Sequence, residues 1–158
     1  MTSRVIFVSD FFINEVTGGA EFCNDALMNS LKHRFTFEPH KSQTITTQFI
    51  NANKDCFFVI ANFFLLSEEC KKALKSTTYV IFEHDHKYIL ERDPSPYKDF
   101  IVPPNRLYNL SFYKNAQAVV CQSKLHAEVL RKNIKSDNII SAGCTLWSKE
   151  HLEVLKKY

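Results

Sequence analysis

Glycine is scarce in this sequence, with three residues among 158. Neither of the glycine-rich phosphate-binding motifs, GxGxxG and GxxxxGK(S/T), occurs. Their absence counts against a nicotinamide-dependent dehydrogenase and against a P-loop kinase. The GxSxG motif that presents a nucleophilic serine is also missing, and the sequence assigns no base to Cys144, so a hydrolase is not indicated.

The cysteines do not fall into pairs. There are five of them, an odd number, and no CxxC spacing occurs. The sequence therefore argues against a disulfide framework, and we expect buried thiols in a reducing compartment because most of these residues lie in apolar segments. They are Cys23, Cys56, Cys70, Cys121 and Cys144.

Long runs of one residue class are missing as well. No stretch approaches the roughly 20 apolar residues of a membrane span, and the apolar stretch after Arg4 is too short for a secretory signal. The net charge is only +3, with no basic run interleaved with glycine or aromatic residues, so we expect no nucleic-acid partner. We predict a cytoplasmic protein without a transmembrane segment. A chain of 158 residues with 45% hydrophobic residues can close one ordinary domain, and two would be cramped.

Short apolar runs alternate with helical patterns along the chain. The predicted strands are Arg4–Ser9, Phe35–Glu38, Phe57–Ala61, Tyr79–Phe82, Ala118–Cys121 and Asn138–Ser141. The predicted helices are Ala20–His33, Thr46–Asn53, Ser67–Lys75, Asn105–Lys114, Lys124–Asn133 and Lys149–Lys156. Unbroken apolar strands separated by helices predict an α/β fold, a single doubly wound Rossmann-like domain over residues 1–158. We expect a mostly parallel sheet of about six strands with helices on both faces, and a terminal helix at 149–158 that could begin an interdomain connection. Ser67 and Ser123 are predicted N-caps.

Gly18 and Gly19 stand between the first strand and the first helix. Glycine permits left-handed backbone and removes the Cβ that would hold a ligand away, and a helix N-terminus favours an anion. A plain turn into a helix is the alternative. On that helix we expect Asn24, Asp25, Asn29 and Lys32 to point away from the buried face.

Polar residues follow every predicted strand. Because ligands of such folds bind at the carboxyl ends of the strands, these residues predict a polar rim around a ligand site. The rim comprises Asp10, the Gly18–Gly19 loop, His40, Lys41, Asn62, Glu83, His84, Asp85, His86, Gln122, Ser123 and Gly143.

The segment Glu83–Lys87 admits three interpretations: a metal site, a hydrogen-bonding or proton-handling imidazole at His84, or a polar loop. No HExxH or Cys/His spacing supports a metal elsewhere. The remaining helical histidines, His33, His126 and His151, are expected at the surface or packed without a role. Trp147 is expected to anchor the last helix or to dock a partner domain.

In their order, several motifs resemble the N-terminal domain of family-4 retaining glycosyltransferases, which have the GT-B architecture. They are the opening strand, Gly18-Gly19-Ala20-Glu21 at a helix start, His84-Asp85 after a strand, the segment Ala116–Ser123 leading into the helix at Lys124–Leu130, and Asn138–Gly143. The resemblance covers nearly the whole chain. It rests on order and spacing, because each motif is short.

The resemblance implies an enzyme that transfers a sugar from a nucleotide-sugar donor to an acceptor hydroxyl with retention, without a metal or other cofactor. It implies roles for three groups of residues. Gly18, Gly19 and Ala20 would approach the donor diphosphate; His84 and Asp85 would be catalytic; Glu21, Asn62, His86 and Arg92 would lie on the acceptor side of the cleft.

A complete enzyme of this kind has a second, C-terminal donor domain, which we expect to begin where this chain ends. The chain would then be either a fragment or a stand-alone half that needs a partner chain. A non-catalytic binding or assembly module that kept the fold is the alternative. A flavodoxin-like or response-regulator-like domain is disfavoured, because the first strand does not end in an acidic pair.

Overall fold

The computed structural model describes residues 3–157, apart from the side chains at 154 and 155. Residues 1, 2 and 158, which the predicted domain and terminal helix include, lie outside the described residues. The strands are β1 (Ser3–Ser9), β2 (Phe35–Lys41), β3 (Phe57–Ile60), β4 (Thr78–Glu83), β5 (Ala118–Cys121) and β6 (Ile139–Ser141). The α-helices are α1 (Gly19–Leu31), α2 (Thr47–Ala52), α3 (Glu68–Leu74), α4 (Leu110–Asn115), α5 (Lys124–Ile134) and α6 (Lys149–Leu155).

The six strands form one parallel sheet in the order β2-β1-β3-β4-β5-β6. The predicted α/β fold, a Rossmann-like domain with helices flanking the sheet, is confirmed. The strand order reverses beside β1, and at such a switch point the loops leaving neighbouring strands separate and open a crevice. Flavodoxin-type sheets have the same order over their first five strands. Strand order therefore leaves that alternative open, and any distinction rests on the residues of the site.

Two predicted boundaries were wrong. β2 runs on to Lys41 in spite of Pro39, because it is an edge strand and a proline with its nitrogen on the free side breaks no ladder. The helix predicted from Asn105 begins only at Leu110, since Pro104–Arg106 forms a separate 3-10 turn and Asn109 is left-handed. The predicted caps are confirmed: Ser67 and Ser123 accept hydrogen bonds from Cys70 N and His126 N.

The two faces of the sheet are covered unequally. One face packs under residues of α2, α3, α4 and α5, in a cluster that includes Ile6, Ile81 and Val119. The helical residues packed on the other face, within residues 3–157, belong to α1 alone. This second face carries an apolar groove of about 660 Å³, which we call the groove. Its walls include Val5, Leu27, Phe57, Val80, Phe82, Val120 and Leu146.

All five cysteines are free thiols. Cys23, Cys70 and Cys121 are buried, as the apolar context of the sequence predicts, whereas Cys144 is exposed. Across residues 3–157, each helix is too short or too polar to cross a bilayer.

Candidate functional site

A cleft of about 590 Å³ opens at the carboxyl edge of the sheet, between the start of α1 and the segments that follow β1, β3, β4, β5 and β6. Of the predicted site residues, six line this cleft and three lie outside its lining. Those in the lining are Gly19, Ala20, Asn62, His84, Asp85 and Arg92. Those outside are Gly18, Glu21 and His86.

The N-terminus of α1 forms one wall. Gly18 is the N-cap in extended backbone, with φ of −131° and no capping side chain. Neither Gly18 nor Gly19 adopts the left-handed conformation that glycine permits, since Gly143 is the one glycine with positive φ among residues 3–157. A Cβ on Gly19 would meet no atom within 4 Å, whereas one on Gly18 would collide with the carboxylate of Glu21. Within the described chain, the N–H groups of Gly19 and Ala20 donate to no protein acceptor, which leaves them available to a ligand.

Glu21 lies under this helix start and is buried. One carboxylate oxygen accepts a hydrogen bond from Asn62 Nδ2 at 3.4 Å. The pair joins the first turn of α1 to the loop after β3. Asn62 thus has one side on the cleft and one on Glu21, while Glu21 acts beneath the cleft wall.

His84 is fixed by hydrogen bonds at both ring nitrogens. Nε2 lies 2.7 Å from Asn24 Oδ1, and Nδ1 contacts the side-chain amide of Gln122. Each amide also bonds to a hydroxyl: Asn24 Nδ2 donates to Ser9 Oγ, and Gln122 Oε1 accepts from Thr145 Oγ1. With the amides in this orientation, Nε2 carries the hydrogen and Nδ1 accepts. A continuous chain of side chains runs from the end of β1 to the segment after β6 through this imidazole.

The charge state of His84 agrees with this arrangement. Burial, helped by the charge of Lys87, lowers the pKa of His84 to about 3. The ring is neutral at physiological pH, and neither nitrogen is free to exchange a proton with a ligand. As part of the cleft wall, His84 can contact and orient a ligand, but proton transfer would first require Asn24 or Gln122 to release it.

A buried ionic cluster supports the loop after β4. Lys87 Nζ lies 2.5 Å from Asp85 Oδ1 and 3.5 Å from Glu83 Oε1, and the lysine side chain is only 2% exposed. Tyr113 donates its hydroxyl to the other Glu83 oxygen at 2.5 Å. Burial alone would lower the pKa of Lys87, but the two carboxylates beside it raise it above its ordinary value. Glu83, predicted on the rim, is thus a core residue.

Asp10 also reaches the cleft, but its carboxylate is occupied. It accepts hydrogen bonds from Phe64 N at 2.8 Å, Leu65 N at 3.0 Å and the hydroxyl of Ser42. The loop after β3 is thereby pinned to the end of β1. Phe64 and Leu65 are held exposed beside the cleft.

Arg92 brings a positive charge to the lining. Its Nη1 lies 3.2 Å from Asp85 Oδ2, and its guanidinium sits over the ring of Phe64 at 5.3 Å. The side chain is 46% exposed. The backbone is left-handed there, with φ of +57°. A non-glycine residue in that conformation is uncommon and marks a tight turn in the loop.

His86 belongs to a separate group. Its Nδ1 lies 3.1 Å from the hydroxyl of Tyr88, and its ring packs edge-on against His126, with centroids 4.7 Å apart. Burial lowers the pKa of His126 to about 4. His126, expected at the surface or packed, is thus a packed partner of His86.

Several rim predictions need correction. His40 and Lys41 pair along β2 with Val8 and Ser9, and Lys41 forms an ion pair with Glu15. Neither of them, nor Gly143, lines the cleft. Trp147 does line it and also contacts the ring of His151 in α6, at 6.2 Å between centroids.

The sequence did not reveal the roles of Asn24, Lys87 and Tyr113 in holding the site. The helical pattern predicts Asn24 on the outer side of α1, but it is buried and holds His84. Asn24 stands four positions before Met28, and this spacing does not distinguish it from the exposed polar residues of α1. Its partners lie at the ends of strands that are distant in the sequence. Among residues 3–157, no group of three or more His, Cys, Asp and Glu side chains is arranged to hold a metal ion.

No protein-family model matches the chain, and a search of curated proteins finds no match.

Proposed function

We propose that this domain is the acceptor-side half of a GT-B glycosyltransferase, which transfers a sugar from a nucleotide-sugar to an acceptor hydroxyl with retention. The observation that carries the proposal is the cleft at the carboxyl edge of the sheet. It joins a helix N-terminus with open N–H groups to a wall of apolar and polar side chains. A mostly apolar pocket with a few fixed polar groups is the usual form of a small-molecule site.

In this proposal the diphosphate of the donor lies against Gly19 and Ala20. Their N–H groups and the positive end of the α1 dipole stabilise the charge that develops on the leaving diphosphate. The open space around the Gly19 Cα permits that close approach. The remaining donor contacts come from a second domain, supplied by the same protein or by a partner chain.

His84 and Asp85 would position the reacting sugar. Because the imidazole is neutral and bonded at both nitrogens, its contribution is the shape and polarity of the wall. Asp85 holds the loop through Lys87 and Arg92. In this transfer the acceptor oxygen bonds to the sugar as the bond from the sugar to the diphosphate breaks, and an oxygen of the leaving diphosphate takes the hydroxyl proton, so no separate general base is needed on this half.

The second candidate function is a non-catalytic binding module. The observation that favours it is again His84, whose nitrogens are both engaged within the protein. A module would hold its ligand by itself. A catalytic half would bind a nucleotide-sugar weakly when isolated, since most donor contacts lie on the other domain.

Amide chemical shifts measured by NMR on the isolated 158-residue chain test both candidates. UDP-glucose, GDP-mannose and ADP-glucose are titrated separately, each to 10 mM. The glycosyltransferase proposal predicts that at least one shifts the Gly19 and Ala20 amides, with a Kd on the order of 1 mM or weaker. Micromolar affinity would favour the binding module. If all three leave both amides unshifted, the proposed diphosphate site is wrong.

A further inference from the structure

The ionisable side chains that line the cleft differ in what they still offer to a ligand. The carboxylate of Asp10 is occupied by two backbone N–H groups and a hydroxyl. His84 is neutral and bonded at both nitrogens. Asp85 is held by Lys87 and Arg92. The remaining ionisable group is Arg92. Among residues 3–157, it is the one positively charged side chain that lines the cleft.

Two neighbours fix the Arg92 guanidinium. The guanidinium lies over the ring of Phe64, and its Nη1 contacts Asp85 Oδ2. A guanidinium carries five N–H donors, and the contact with Asp85 engages one nitrogen. Within the described residues the other nitrogens have no protein acceptor. Arg92 is therefore held in place while most of its hydrogen-bonding capacity is unused.

Asp85 does not need Arg92 as a counterion, because Lys87 already balances its negative charge. Its other oxygen lies 2.5 Å from Lys87 Nζ, inside the protein where solvent screens little. Contact with an exposed arginine adds little to a carboxylate that is already paired with a buried lysine. The Asp85–Arg92 pair therefore orients the arginine more than it stabilises the fold.

We propose that the acceptor of this enzyme is acidic, with a phosphate or a carboxylate that Arg92 binds through its free N–H groups. The fork of a guanidinium matches two oxygens of either group, and such pairs are about twice as strong as neutral hydrogen bonds. The apolar side chains nearby, Phe11, Phe64 and Trp147, cover the uncharged part of the ligand. This inference rests on the proposed function, because it concerns the acceptor of that reaction.

Trp147 provides the measurement. It is the only tryptophan of the sequence, lines the cleft and is 50% exposed, so its fluorescence reports on occupancy. Glucose, glucose 6-phosphate, glucuronate and UDP are titrated at fixed ionic strength, with calorimetry in parallel. The proposal predicts that glucose 6-phosphate and glucuronate bind the wild-type chain at least tenfold more tightly than glucose.

The variants assign this preference to Arg92. Arg92→Gln should bring glucose 6-phosphate to the affinity of glucose, and Arg92→Lys, which keeps the charge without the fork, should retain part of the preference. The matched control is Arg106→Gln: Arg106 lies in the same connection, is 40% exposed and pairs with Glu91, but does not line the cleft. It should leave all affinities unchanged. Thermal melts verify that each variant is folded.

The proposal is overturned by equal affinity for glucose and glucose 6-phosphate, by no binding of the acidic sugars by either method at 50 mM, or by an unchanged preference in Arg92→Gln. If Arg92→Gln weakens the binding of UDP but not that of glucose 6-phosphate, Arg92 binds the donor nucleotide, and the proposal of an acidic acceptor is wrong. These results are separate from the amide shifts of Gly19 and Ala20 with nucleotide-sugars. The glycosyltransferase proposal can therefore fail while Arg92 is shown to bind anions, and the reverse.

Discussion

The cleft and the groove share a wall at Leu146 but are built from different kinds of residue. The cleft, of about 590 Å³, combines apolar side chains with a few polar ones that hydrogen bonds and ion pairs hold in place. The groove, of about 660 Å³, is lined almost entirely by aliphatic and aromatic side chains from β1 to β5 and α1. Fixed polar groups give directional recognition, whereas apolar surface gives affinity without direction. The volumes of the cleft and the groove are similar, so the chemistry of their linings is what distinguishes them.

The comparison extends to what supports each cavity. Beneath the cleft lie the Glu83, Lys87 and Tyr113 cluster and the chain of hydrogen bonds through His84. Beneath the groove lies only the sheet, whose opposite face is sealed by four helices. We therefore expect substitutions under the cleft to act through polar groups left without partners, and substitutions in the groove to act through volume.

The largest effect is expected for Lys87→Met. It removes the cation between Glu83 and Asp85 and leaves a buried carboxylate without its partner, which costs about 3–5 kcal/mol. The Tm should fall by about 6–20 °C in a thermal melt. Lys75→Met is the control, because Lys75 is exposed and its ammonium donates to Ser111 Oγ at 2.8 Å rather than to a carboxylate. Equal melts for the two variants would show that the cluster does not support the loop after β4.

This cluster also shows what the sequence could not provide. The apolar runs predicted all six strands to within a few residues, because burial on both faces leaves a continuous hydrophobic pattern. Glu83 and Lys87 follow one such run and read as a polar loop. Their burial depends on Tyr113, which is 30 residues from Glu83 in the chain, and local periodicity carries no information about that pairing.

The cleft shows the same limit of prediction from the sequence. The rule that ligand sites lie at the carboxyl ends of parallel strands predicted that Asn62, His84 and Gln122 would gather at one edge, and they do. The rule could not predict which of these side chains would form hydrogen bonds within the protein and so be unavailable to a ligand. Asn24 lies 60 residues from His84, and only the fold brings its amide to the imidazole.

The second prediction uses two adjacent valines on opposite faces. Val119 is buried on the sealed face, and Val120 is half-buried in the groove. Val119→Phe should overpack the core and cost about 1–3 kcal/mol. Val120→Phe should change the free energy of unfolding by less than about 0.5 kcal/mol, because its ring has space in the groove. Chemical denaturation measures both.

Light scattering should accompany that experiment. If Val120→Phe is as destabilising as Val119→Phe and also changes the mass of the particle in solution, the groove is filled by a second copy of the chain. Equal destabilisation at unchanged mass would mean that the groove closes in solution, and the contrast between the two faces would disappear.

The third prediction concerns acid. The pKa of His84 is lowered by burial to about 3, from an ordinary value of 6.5. Below pH 6.5 the unfolded chain binds this proton while the folded chain does not. The contribution of His84 to stability is therefore complete above pH 6.5 and is lost as the pH falls towards 3, by up to about 1.4 kcal/mol per pH unit.

His84→Gln should flatten this dependence between pH 6 and pH 4, measured by urea unfolding at each pH. His33→Gln is the control, since His33 is exposed and should leave the slope unchanged. A slope in His84→Gln as steep as in the wild type would mean that His84 is solvated and free, and the wall of the cleft would then be a proton-handling one.

The smallest effect on stability, and the most selective on binding, is expected for Gly19→Val. A Cβ at this position meets no atom within 4 Å, and valine is a better helix residue than glycine, so the Tm should change by less than about 2 °C. The branched side chain would nevertheless occupy the approach to the Gly19 and Ala20 N–H groups. We expect the amide shifts caused by UDP-glucose to vanish in Gly19→Val and to persist in Val120→Phe, which fills the groove instead. Loss of the shifts in Val120→Phe would show that the two cavities act together through Leu146, whereas unchanged shifts in Gly19→Val would remove the helix start from the ligand site.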